Sequence, residues 1–124
     1  VAHTEISDGN LVIRMTARET MASGRHQVTV PLAAITDLRI VNDPTAQYSN
    51  PLTGEHAWKI IGGQLPGSFA EGTFRSEGQT VFLDVHRGQP ALAISLNEGH
   101  FQQVVIGTDD PAKLAAELRA AGAA

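Results

Sequence analysis

The residues of this chain best suited to chemistry are its five histidines, His3, His26, His56, His86 and His100. Their spacing gives neither the i, i+4 pair of a helical metal site nor an H-x-H pair. Cysteine is absent, which excludes thiolate ligands and disulfides. Loop or surface imidazoles are therefore expected, and no metal. Ser68 sits in Gly67-Ser68-Phe69-Ala70-Glu71, which is not the G-x-S-x-G of a nucleophile elbow. Gly62-Gly63-Gln64-Leu65-Pro66-Gly67 is followed by no Lys-Ser/Thr, so it is not a phosphate-binding loop. No acid–base pair with a definable role can be assembled. The expectation is a non-enzyme without a cofactor.

Binding is the better use of the remaining functional groups. The lone tryptophan and lone tyrosine, Trp58 and Tyr48, lie with His56 and Lys59 in one long Pro/Gly-rich segment. Aromatic and charged residues on a long loop are typical of interaction surfaces. The competing reading is that Trp58 packs its own loop against the core. Arg14, Arg39 and Arg75 fall on strand-like runs and are expected on solvated faces, beside carboxylates.

The elements that hold these groups read as β-rich. Thr4–Ile6 and Asn10–Thr16 flank Asp8-Gly9, a strong two-residue hairpin signal. Leu11, Ile13 and Met15 alternate with Val12, Arg14 and Thr16, the period of a half-buried strand. Ala17–Ser23 reads as a helical turn or an irregular loop. Arg25–Leu32 alternates again, and Pro31 places it at an edge or ends it. Pro31–Ile35 reads as one tight helical turn, followed by a strand over Ile35–Val41. Residues 42–68 form the long loop, with Trp58–Ile61 as a short strand inside it.

Four runs then follow, Phe69–Arg75, Thr80–His86, Ala91–Leu96 and Gln102–Ile106. Glu77-Gly78, Gly88-Gln89-Pro90 and Glu98-Gly99 separate them, and this spacing predicts an antiparallel meander. Gly72 suggests a bulge. Thr80–His86 is apolar on both faces, so it should be central or covered. Ala91, Ala93 and Ser95 form a small-residue face with room for a close-packed helix or loop. Asp110 as N-cap, Pro111 at the first position and Gly122 past the end predict a C-terminal helix over 109–122. Its apolar stripe is Leu114, Ala115, Leu118 and Ala121.

Composition bounds the rest. A chain of 124 residues is one domain, 42% apolar and 18% charged. The net charge of −4 and scattered basic residues argue against nucleic acid as a partner. No apolar run is long enough to span a bilayer, and the N-terminus lacks the regions of a signal peptide. Absence of cysteine fits a reducing compartment, so the cytoplasm is expected. A first residue of Val leaves a longer or secreted precursor open.

Gly67-Ser68-Phe69-Ala70-Glu71-Gly72-Thr73-Phe74, Gly78, Phe82, the run 91–96, Val104-Val105-Ile106, Asp109-Asp110-Pro111 and Leu118 together resemble the bacterial pleckstrin-homology-like (PH-like) domains. The Val30-Pro31-Leu32-Ala33-Ala34-Ile35 segment is similar to that family's strand-then-turn element. The resemblance covers nearly the whole chain from Asn10. It implies a mainly β (α+β) fold: a barrel of about seven antiparallel strands in two packed sheets, closed by one C-terminal helix. It carries over no ligand residues. The phosphoinositide-binding basic loop of eukaryotic relatives has no counterpart, since Asp8–Asn10 and Ala17–Gly24 hold only Arg18. The functional expectation is a non-catalytic protein-interaction or scaffold module that binds a protein, or itself, through the 42–68 loop or an open sheet edge. The alternative is a small-molecule or lipid carrier.

Overall fold

The computed structural model describes residues 3–14, 27–44, 59–65, 69–76 and 79–123. Nine strands, one 3-10 turn and one α-helix fall within them. Strands β1 (His3–Ser7), β2 (Asn10–Arg14) and β3 (Gln27–Pro31) form a three-stranded antiparallel sheet in the order β1-β2-β3. The first hairpin turns on Asp8 and Gly9, at φ 53° and 76°. Two successive positive φ values are what a type I′ turn demands. Arg14 on β2 pairs with Glu5 on β1 at 3.6 Å, both about half exposed, which is the solvated carboxylate partner expected for it.

A 3-10 turn, Leu32–Ala34, leads from β3 into β4 (Ile35–Val41). The second sheet adds β5 (Lys59–Leu65), β6 (Phe69–Ser76), β7 (Gln79–His86), β8 (Ala91–Leu96) and β9 (Gln103–Gly107). Its spatial order is β4-β8-β9-β7-β6-β5. Among the described residues no ladder joins the two sheets, and the strands number nine rather than about seven.

Three expectations change here. The last four strands are not a simple meander: β9 lies between β7 and β8, parallel to β7 and antiparallel to β8. Burial explains the slot. Val104, Val105 and Ile106 are wholly buried, and a run apolar on both faces belongs inside a sheet. The segment between β7 and β8 spans that extra strand. It is closed by a bond from Gln89 N–H to His86 O, and Thr108 N–H bonds Pro90 O as β9 ends beside it. Second, the short strand expected inside the long loop runs on to Leu65, and residues 59–65 pair with β6. Third, Gly72 stays in register with Leu83 on β7 and Gly62 on β5. The irregularity lies between Lys59 and Ile61 instead.

The C-terminal helix α1 (Pro111–Ala120) begins at Asp110, whose Oδ1 accepts from Lys113 N–H at 3.0 Å. At the other end, Gly122 N–H bonds Arg119 O and Ala123 N–H bonds Leu118 O. With Gly122 at φ 120° this is a Schellman closure. Leu114, Ala115 and Leu118 are buried, whereas Ala121 is exposed and outside the stripe. The helix packs on β8 and β4.

The core has two parts. The larger cluster joins Leu11, Ile13, Val28 and Val30 of the small sheet to Phe82, Leu92, Ile94, Val104 and Ile106 of the large one, under Leu114 and Leu118. The second, on the opposite face of the large sheet, holds Val41, Val81, Leu83, Val85, Ala91, Ala93 and Val105. The helix thus covers the Leu92/Ile94 face of β8, and the small-residue Ala91/Ala93 face joins the second cluster. Strand β7 is buried on both faces, as its composition requires.

Candidate functional site

The hydrogen-bond pattern of β3 leaves one side of that strand open. Leu32 N–H donates to Gly9 O at 3.0 Å, which makes Pro31 and Asn10 a non-hydrogen-bonded pair. Alternation along an antiparallel ladder then makes Val30–Leu11 and Val28–Ile13 the bonded pairs. The backbone groups of Gln27, Thr29 and Pro31 point the other way, and among the described residues no strand pairs with that edge. Pro31 has no N–H to leave unsatisfied there, which suits a proline ending an edge strand.

A cleft of about 200 Å3 runs along this edge. Its floor is apolar: Val28, Val30, Leu96 and Phe101. Its far wall is the turn between β8 and β9, Glu98, Gly99 and His100. Gly99 sits at φ 97°, a conformation an L side chain rarely adopts. The wall is held in place from behind. Phe101 is buried and packs on Phe82 with ring centroids 5.6 Å apart. His100 is exposed and meets Phe101 edge-on at 4.7 Å. Leu96 N–H to Gln102 O, Asn97 N–H to Ala34 O and Gln102 N–H to Thr80 O fix the turn to its neighbours. This arrangement offers backbone donors and acceptors beside an apolar floor, which is the chemistry of strand addition.

A second polar group lies at the opposite end of the parallel pair. Asp84 is buried on β7, and its Oδ1 is 3.0 Å from Nε2 of His86 on the same face of that strand. A histidine oriented by a buried carboxylate is a familiar general base. Next to it the side chain of Gln89 lies across Gly107 and donates from Nε2 to Asp109 Oδ1 at 3.1 Å, linking the β7–β8 turn to the helix start. Among the described residues no group of three or more metal-ligating side chains converges.

Around the beginning of α1 lies another cleft, of about 310 Å3, lined by acids and Lys113. Asp110 is already the helix cap and Asp109 already accepts from Gln89. Sites for small molecules usually occupy some 300–1,000 Å3 with mostly apolar walls. The cleft at β3 is smaller than that, and the one at the helix start has a mixed lining, polar and apolar in similar measure.

Of the binding residues expected from sequence, Tyr48, His56 and Trp58 lie outside the described residues, as does His26. Lys59 is the first residue of β5, opposite Phe74 on β6. His3 is exposed on β1. His86 and His100 stand at opposite ends of the β7–β9 pair, in keeping with their expected separation. Sequence reasoning passed over the β3 cleft, because its two sides come from residues 27–31 and 96–101. Asp84 carried a readable signal: a single acid inside an otherwise apolar run, with histidine two positions on and so on the same face. No protein-family model, no curated protein and no solved structure matches this chain.

Proposed function

We propose that this protein is a non-catalytic protein-interaction module that binds through the open edge of β3. The observation that carries this reading is the row of outward-facing backbone groups at Gln27, Thr29 and Pro31 above an apolar floor. An unpaired edge is a template for another strand. Main-chain bonds supply affinity there, and side-chain recesses supply selectivity. The likeness to bacterial PH-like domains belongs to the same proposal. Two sheets with a C-terminal helix support it, while the parallel β7–β9 pair is a departure from a plain meander.

The test is a selection. The purified protein is offered a displayed library of random linear peptides, and enriched peptides are titrated while amide exchange is followed by NMR. Enrichment, with exchange slowed at Thr29 and Gln27, is the expected result. Failure to enrich, or protection confined to other strands, would remove the edge from consideration. Enrichment of small amphiphiles in a parallel thermal-shift screen would favour the carrier reading instead.

A further inference from the structure

We propose that the occupant of the β3 cleft is an extended segment of another protein that carries a lysine or arginine beside an aliphatic residue. The inference rests on the interaction reading above and adds the chemistry of the partner.

The backbone groups define the shape of the occupant. N–H groups of Gln27 and Thr29 alternate with carbonyls of Gln27, Thr29 and Pro31, at the spacing an extended chain presents. Side chains of such a chain alternate between two faces. Those opposite Val28 and Val30 point inward, toward the floor built from Val28, Val30, Leu96 and Phe101. The recess of about 200 Å3 takes a single apolar side chain.

Charge defines the second feature. Glu98 is the lone residue with a fixed charge among those lining the cleft; the others are neutral or, in His100, an imidazole. Glu98 is exposed, and among the described residues no ion pair engages it. Glu98 lines the same cleft as the apolar floor, and in this proposal it pairs with residues on the inward face of the occupant. Those lie two positions from the aliphatic one. A cation there is complementary, and an anion is repelled.

A second copy of this chain is the weaker candidate. Its β3, Gln27–Pro31, offers no cation to meet Glu98.

Three synthetic pools of linear peptides test this. Each fixes one valine among random neutral residues, and the positions two residues to either side are all lysine, all glutamine or all glutamate. Affinity is read by fluorescence anisotropy and location by amide exchange. The lysine pool should bind best and protect Thr29 and Gln27. Glu98→Gln should weaken it about two- to fivefold, the size of a rim ion pair. Glu98→Lys should reverse the ranking of the lysine and glutamate pools. Glu98 lies in an exposed turn, so both variants keep the fold, and Thr29→Pro serves as a second probe that removes an outward donor.

Equal binding of all pools, with Thr29 still protected, would overturn the cation and leave the edge reading standing. No protection at Thr29 or Gln27 by any pool would overturn both. Protection that grows with protein concentration in the absence of peptide would assign the edge to self-association and overturn the proposal.

Discussion

Strand β3 and strand β9 have similar lengths and similar valine content, yet they do opposite work. Strand β9 has a partner on each side and apolar neighbours on both faces. Among the described residues strand β3 has one partner, and it has one buried face and one solvated face. Every polar backbone group of a central strand is spent inside the protein, so such a strand contributes stability and nothing to recognition. An edge strand keeps half of its backbone groups for another molecule. In this domain the buried side chains crowd the β7–β9 pair, and the proposed binding edge lies at the rim.

That contrast breaks first at its centre. Phe82→Ala removes a fully buried ring that touches both sheets and Phe101. The loss should be about 3–5 kcal/mol in urea unfolding. A loss below ~1 kcal/mol would mean that the centre is not where stability resides. The 98–101 wall should loosen at the same time, so peptide binding should fall even in the fraction that stays folded.

The junction between centre and helix gives a smaller effect with its own control. A Cβ on Gly107 would sit 2.5 Å from Gln89 Oε1 and 3.2 Å from the Asp84 carbonyl. Gly107→Ala should therefore cost about 1–3 kcal/mol through overpacking. Gln89→Ala in the same chain should recover much of it, because the closest atom is the end of a flexible side chain. A double-mutant cycle with no coupling would show that the backbone at Asp84, not Gln89, sets the limit.

At the helix start, Asp110→Ala deletes the bond accepted from Lys113 N–H. The expected cost is about 1 kcal/mol, seen as a lower Tm. Smallest of all should be Thr29→Ala on the outer face of β3, within about 0.5 kcal/mol of the parent, as for other surface positions. A large loss there would mean that the rim is part of the stability core, and the contrast would fail.

How much of this was legible in the sequence follows the range of the interactions. Asp8-Gly9, Pro31, Asp110-Pro111 and Gly122 act on their immediate neighbours, and the hairpin, the edge strand, the cap and the helix end stand where those residues place them. The order β8-β9-β7 was not legible, because period and turn signals say where a strand begins and not which strand it chooses. That choice was made by the burial of Val104, Val105 and Ile106 on both faces. The strand expected over Trp58–Ile61 reads as ending at Ile61 because Gly62 and Gly63 lower strand propensity; pairing along β6 carries it on to Leu65. The site suffered most, since the two segments that line it, 27–31 and 96–101, lie far apart in the chain.

The position of β9 also has a consequence for how the molecule comes into being. Until residues 103–107 are in place, the large sheet is two separate pieces, β4-β8 and β7-β6-β5, each with a bare apolar flank. A chain emerging from the ribosome must hold both pieces apart from other proteins until residues 103–107 arrive. A stop between Leu96 and Gln103 would not yield a slightly shorter domain. It would yield two sticky half-sheets, and aggregation would be their ordinary fate.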